Sequence, residues 1–269
     1  MSAPQIVYWN PEKRRFRGRI GRRLPFMAPV NNFGDLLGPL VVSAILERHG
    51  ITTPAPHSFE AAGQGQKLFS VGSVLHFADT GDIVWGSGRN GKVDVGLHRF
   101  EALDVRMVRG PLTRAFLMER GIDVPEIYGD PGLLLPALFP ERMAGWQKGR
   151  GGTVIVPNLN DPAPKTQAGR IIDPRRDLWR IVQAIYEAER VVSSSLHGFI
   201  LAEAFGVSAR LLRPGAEAPF KYDDYATGTG RESVPLYDDI DTALAAPDHP
   251  PAVFDAQKMI DAFPLDAFR

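Results

Sequence analysis

Short runs rich in valine, isoleucine and aromatic residues alternate along this chain with longer runs whose apolar residues recur at helical spacing. That alternation narrows the fold more than any single motif. "QIVYW", "KLFSVGSVL", "DIVWGSG", "LDVRMV" and "EIYG" read as strands in the first half, and "TVIVPNL", "RVVSSS" and "ARLL" in the second. "NNFGDLLGPLVVSAILERHG" reads as a helix carrying Leu37, Val41, Ala44, Ile45 and Arg48 at helical spacing, with Gly50 as its stop. "GPLTRAFLMERG" is another, with Pro111 in its first turn and Gly121 at its end. In "DPRRDLWRIVQAIYEAE" Asp173 is the expected cap, Pro174 lies in the first turn, and Leu178, Ile181, Val182 and Ile185 form the buried stripe. "LHGFILAEAFG" follows "RVVSSS" as an amphipathic run, and "PAVFDAQKMIDAF" closes the chain as a helix. Strands regularly followed by helices are joined by crossovers, which makes them parallel and covers the sheet faces. The expected fold is α/β, with two successive units of parallel sheet covered by helices.

Length supports two domains, since 269 residues exceed the usual size of one. The stretch "PERMAGWQKGRGG", residues 140–152, is rich in glycine and charge and marks the boundary. This places the first domain at 1–145, the second at 146–250, and a C-terminal helix at 251–269 that packs back on the first. The chain has no cysteine, so disulfides, zinc–thiolate sites and thiol nucleophiles are excluded and a reducing compartment is expected. No apolar run approaches the roughly 18 residues of a membrane span, and "MSAPQIVYWN" lacks the pattern of a signal peptide. A cytoplasmic protein is expected.

Net charge is zero, but it is unevenly placed. Lys13, Arg14, Arg15, Arg17, Arg19, Arg22 and Arg23 face only Glu12 among the first 30 residues, while Asp223 to Arg269 holds ten acids against three bases. Residues 13–23 can contact anionic lipid at the inner face of a membrane or an anionic polymer; a solvated loop is the alternative. Aromatic residues are too sparse there for a nucleic-acid platform. The six histidines show no paired spacing of metal ligands, so no metal site is expected.

Polar residues gather at strand-to-helix junctions. In "VVSSSLHGFILAEAFG", Ser193 to Gly198 lie where a parallel strand ends and a helix begins, the place at which α/β sheets bind ligands. The small Ser193, Ser194, Ser195 and Gly198 let an anion approach free N–H groups at the helix start, so phosphate or carboxylate is the expected guest. Alternatively the serines cap the helix and His197 packs. "NNFGD" offers Asn32, Gly34 and Asp35 to a hydroxylated ligand, or caps its own helix. "WGSGRNG" brings Gly86, Ser87 and Gly88 after a strand, without the spacing of a dinucleotide fingerprint. Arg109, in "VRGPLTR", can clamp a carboxylate bidentately or form a surface ion pair.

Taken together, Asn32-Phe33-Gly34-Asp35, Gly86-Ser87-Gly88, Val108-Arg109 through Thr113, Gly129-Asp130-Pro131-Gly132-Leu133-Leu134, and Ser194-Ser195-Leu196-His197-Gly198 with Lys221 resemble the ordered motifs of the polysaccharide pyruvyltransferase family, in its bacterial exopolysaccharide branch. The resemblance runs from about residue 31 to about residue 222. It implies α/β architecture with two Rossmann-like parallel-sheet domains facing a cleft in a GT-B-like pair, phosphoenolpyruvate as donor, a glycan acceptor that can be lipid-linked, and no redox cofactor. It also implies His197 and Asp35 as catalytic residues, with Asn32, Gly34, Gly86, Ser87, Gly88, Arg109, Ser194, Ser195, Leu196, Gly198 and Lys221 binding substrate. Many members carry arginine where this chain has Ser195, so another cation must substitute: Arg109, Arg213, Lys221 or Arg231. Two other classes are compatible with the pattern. A nucleotide-sugar glycosyltransferase would use Glu203 for ribose hydroxyls; a carbohydrate-binding homologue would keep the cleft without chemistry.

Overall fold

The computed structural model describes residues 3–14, 27–215 and 217–269. Its first half runs β1 (Gln5–Tyr8), β2 (Glu12–Arg14), β3 (Met27–Pro29), α1 (Phe33–Arg48), β4 (His57–Ser58), β5 (Lys67–Phe69), β6 (Ile83–Trp85), β7 (Asp104–Met107), α2 (Pro111–Met118), α3 (Leu135–Leu138) and α4 (Pro140–Met143). The second continues with β8 (Thr153–Val156), β9 (Arg170–Ile171), α5 (Leu178–Glu187), β10 (Arg190–Ser193), α6 (Leu196–Ala204), β11 (Ser208–Leu212), α7 (Phe220–Gly228), β12 (Leu236–Tyr237), α8 (Ile240–Ala245) and α9 (Ala256–Asp261). Two five-stranded sheets result, ordered β4-β1-β5-β6-β7 and β12-β11-β10-β8-β9. Every pairing within them is parallel. The chain is thus α/β with two Rossmann-like sheets, and no helix among the described residues is long and apolar enough to cross a membrane.

Most of the sequence-derived elements appear, with four differences. "EIYG" contributes a single bridge, Val108 to Tyr128, because the chain turns at once into the Asp130–Leu134 segment. "KLFSVGSVL" is a strand only over Lys67–Phe69; beyond it the chain leaves the sheet, and Gly72, at a φ of 107°, turns it into the following loop. The cap of α5 is Asp177, whose Oδ1 accepts from Arg180 N at 3.0 Å. Asp173 instead accepts from Arg175 N, and the Pro174 carbonyl accepts from Phe33 N. Finally, α6 is buried around most of its circumference through Leu196, Phe199, Ile200, Leu201 and Ala202, so it is an interior helix rather than an amphipathic one.

One hydrophobic core joins both sheets: Ile6, Leu68 and Trp85 of the first belong to the same cluster as Val154, Val191 and Leu211 of the second. Helix α1 lies at its centre, with Leu37, Val41, Ala44 and Ile45 buried, and the exposed Arg48 donates to the carbonyls of Ala137 and Leu138. The C-terminal segment crosses back to the first sheet, where Trp85 Nε1 donates to Met259 O at 3.0 Å and the Trp85 ring meets Phe263 edge-on. β2 and β3 form a separate antiparallel ribbon. Of the basic run 13–23, Lys13 and Arg14 fall in this ribbon and the others lie outside the described residues.

Candidate active site

The C-terminal ends of strands from both sheets open onto one cleft of about 270 Å³. Residues after β1, β5, β6 and β7 form one side, and residues after β8, β10 and β11 the other. This is where loops of parallel sheets diverge and expose free backbone groups.

His197 is the second residue of α6. The turn before it is held by serine hydroxyls. Ser193 Oγ lies 2.9 Å from Val156 O and 2.7 Å from Ser195 O, Ser194 Oγ accepts from Asn158 N at 2.8 Å, and Ser195 Oγ caps the helix toward Gly198 N at 3.5 Å. Tyr222 OH donates to the Ser194 carbonyl. The serines therefore shape the turn, and Ser195 with Leu196 also lines the cleft. A Cβ on Gly198 would come within 2.9 Å of the Val156 side chain, so this glycine lets the helix start against β8.

The imidazole is set by the other half of the molecule. Any Cβ on Gly34 would overlap His197 Nδ1, so only glycine leaves room for the ring. On the opposite edge, Nε2 lies 3.7 Å from Asp130 Oδ2, a carboxylate that is 1% exposed and fixed by accepting from Gly132 N at 2.9 Å. Asp130 can balance the charge when the ring takes a proton. Asp35 is near enough for His197 to act on it electrostatically; burial raises the Asp35 carboxyl above its ordinary range, against the lowering effects of His197, the Asn32 hydrogen bond and Lys221. Asn32 Nδ2 donates to Asp35 Oδ2 at 2.6 Å, so the Asn32 side chain engages a first-turn carboxylate of α1 rather than capping a backbone N–H of that helix. Asn31, with φ 53°, delivers this turn; its backbone N–H donates to Asn10 Oδ1 at 2.7 Å.

Lys221 and Lys92 approach Glu217 from the two halves, at 3.2 and 2.8 Å. Burial lowers the Lys221 pKa, opposed by Glu217. Burial would raise Glu217, yet Lys221 and Lys92 hold it below the usual carboxylate range. Arg109 clamps a carboxylate, but one of the chain's own: Nε and Nη2 reach Asp224 Oδ2 at 3.0 and 2.9 Å, Nη1 donates to Ser73 Oγ, and Nη2 also donates to Arg89 O. Asp224 also accepts from Thr113 N and Oγ1. Both charges are almost fully buried, so Arg109 forms the cleft floor with its donors engaged.

Asn32, Asp35, Arg109, Ser195, Leu196, His197 and Lys221 thus share one cleft. Gly86, Ser87 and Gly88 lie behind it: Gly86 packs on Pro131, Ser87 Oγ donates to Gly72 O, and Gly88 leaves room for the Arg109 guanidinium. Of the other cations considered for the position before Leu196, Arg213 pairs with Asp238 on the surface and Arg231 with Glu203 in the interior. Glu203 also accepts from Tyr225 OH, so it is engaged away from the cleft and does not line it. Asp130, Glu217 and Lys92 were not singled out as site residues from sequence; Asp130 stood inside a quoted motif, whereas the lysine–glutamate bridge spans more than a hundred residues. Among the described residues no three histidine, aspartate or glutamate side chains are grouped to hold a metal ion.

A sequence-family profile described as polysaccharide pyruvyl transferase matches residues 63–214, which include Arg109, Asp130 and His197. The succinoglycan biosynthesis protein ExoV of Rhizobium meliloti (strain 1021) is 30% identical over 179 residues, covering 61% of this chain and 54% of that protein. The match therefore spans about half the length of this curated relative. The crystal structure of a functionally uncharacterised protein from Klebsiella pneumoniae subsp. pneumoniae NTUH-K2044 has a similar fold, with a TM-score of 0.50 at 12% identity over 88% of this chain and 94% of the other.

Proposed function

The chain belongs to the polysaccharide pyruvyl transferase family, and from that premise we propose that its cleft moves a pyruvyl group from phosphoenolpyruvate to two hydroxyls of a sugar. The product is a cyclic pyruvate ketal on an exopolysaccharide or related glycan, whose precursor can be lipid-linked. The observation that carries this reading is His197, held between Asp130 and the Asn32–Asp35 turn beside an interior lysine.

The chemistry needs these residue types. A proton delivered to the donor's methylene carbon creates an oxocarbenium-like centre, one sugar hydroxyl adds to it, and phosphate departs as the second hydroxyl closes the ring. One hydroxyl proton replaces the proton given to carbon, and the other leaves with phosphate. His197 moves these protons, because an imidazole nitrogen can both take up and give up a proton. Lys221 binds the donor's carboxylate or phosphate, and Asp35 and Asn32 orient the sugar hydroxyls. Arg109 contributes positive charge from the floor rather than a direct clamp.

The decisive experiment is incubation with phosphoenolpyruvate and free or lipid-linked oligosaccharides, followed by mass analysis for pyruvate addition and assay of released phosphate. A glycan product without phosphate release, or no product from any acceptor, rejects the reading.

Two substitutions sharpen it. Lys221→Ala is expected to raise the donor KM roughly ten- to a hundredfold, the span of a lost hydrogen bond to a charged group. A donor KM within twofold of wild type removes Lys221 from the donor site. Gly34→Ala places a methyl group against His197 Nδ1. Because a displacement of about 1 Å can cost on the order of 10²-fold in rate, kcat is expected to fall by about that factor while donor binding holds. Wild-type kcat in this variant means that the contact does not set the ring.

A further inference from the structure

Besides its charged groups, the cleft is lined by aromatic side chains. Phe77 is a large apolar side chain left 39% exposed, and it lines the cleft with His76 and Trp9. It is rigidly backed. Its ring stacks on Phe59 at 4.5 Å and 17°, and Phe59 stacks on Phe69, a fully buried residue of β5, at 5.5 Å and 19°. His76 follows at 4.1 Å from Phe77. A column of four rings therefore runs from the core of the first half to the cleft wall. Burying such a ring normally stabilises a fold by about 1.5–3 kcal/mol; Phe77 instead offers a firmly backed aromatic surface to the cleft, which a ligand can cover.

The chemistry of that partner follows from the neighbours. His76 is uncharged at neutral pH, its pKa pulled down to about 4 by burial and by His98 and Lys92. The cleft also contains the amides Asn90, Asn158 and Asn160, neutral groups that both donate and accept. An exposed aromatic face with amides in the same cleft matches a pyranose, which has patches of C–H on its ring faces and hydroxyls around its rim.

We propose that Phe77 and Trp9 form the seat of the acceptor sugar, the pyranose lying with a C–H face on the aromatic wall and its rim hydroxyls toward Asn90, Asn158 and Asn160. This rests on the reading of the cleft as a glycan site and adds where and by which face the sugar is held. The donor is then left to Lys221, in the same cleft.

The test is saccharide binding by the full chain without donor. Cellotetraose and methyl β-galactopyranoside are titrated by saturation-transfer NMR and by tryptophan fluorescence. The expected result is saturable binding, weakened at least tenfold by Phe77→Ala and kept within threefold by Phe77→Tyr. Trp9→Phe is expected to remove the fluorescence response while binding persists by NMR. Equal affinity of wild type and Phe77→Ala overturns the proposal, as does a lack of saturable binding to either saccharide, or binding of uridine nucleotides in their place. The outcomes separate this inference from the one beneath it. Phe77-dependent saccharide binding without a pyruvylated product keeps the sugar seat and rejects pyruvyl transfer; product formation with an acceptor KM indifferent to Phe77→Ala does the reverse.

Discussion

His197→Ala is expected to lower pyruvyl transfer by about 10²–10⁴-fold, the usual contribution of a positioned acid–base group, while the melting temperature stays near wild type. The two halves of that expectation have separate grounds. The ring is 13% exposed and stands at the mouth of a turn, whereas the core contribution of α6 comes from Phe199, Ile200, Leu201 and Ala202. Removing the imidazole also leaves Asp130 with its hydrogen bond from Gly132 N. Its carboxylate therefore remains held in place. The rate loss should fall on kcat, since no donor charge is assigned to His197. Phosphate release and pyruvylated glycan must be measured together, because a variant that still splits the donor with water would deceive either assay alone. Transfer within threefold of wild type rejects His197 as the proton-moving group.

The largest effect on stability is expected at Asp224. Asp224→Ala removes the acceptor of Arg109 Nε and Nη2 and of Thr113 N and Oγ1, and leaves a guanidinium that is 1% exposed without its counter-charge. Breaking one side of such a buried pair costs about 3–5 kcal/mol, which for a chain of this size lowers the melting temperature by roughly 10 °C. The cost comes from the stranded charge, so the double variant Arg109→Met/Asp224→Leu should recover much of the loss. Urea or thermal unfolding of the three proteins decides the matter. A single-variant loss below about 1 kcal/mol, the value of an exposed pair, would mean that water reaches the site and the pair is not sealed.

Much of the fold could be read from the chain because each half repeats one physical device: a short β-branched run that must be buried on both faces, then a helix that covers it. Leu37, Val41, Ala44 and Ile45 were legible as a stripe, and all four are buried. The misreadings have local causes. Asp173 and Asp177 both precede the same apolar run, and only the register of the first turn distinguishes them. In α6 the apolar residues read as a stripe, yet helix, sheet and the Pro131–Leu134 turn enclose it from several sides, which periodicity alone does not report. At the site, strand ends placed Asn32, Asp35 and His197 near ligand-binding loops, but the fit of Gly34 to the His197 ring joins residues more than 160 positions apart. Arg109 shows the same limit from the other side: its residue type indicated a clamp, and the identity of the clamped group, Asp224, required the folded chain.

The Gly34–His197 contact, the core centred on α1 and the insertion of Asp224 at the start of α2 all cross between two sheets whose strands never intermix in sequence. The halves look like separable cassettes on a strand diagram, but they are not interchangeable ones. A half inherited from a divergent homologue would have to bring a partner already shaped to its ring, its helix and its carboxylate. Change at residue 34 is thereby tied to the presence of a histidine at 197, and change at 109 to that at 224, so such paired positions are free to drift only together.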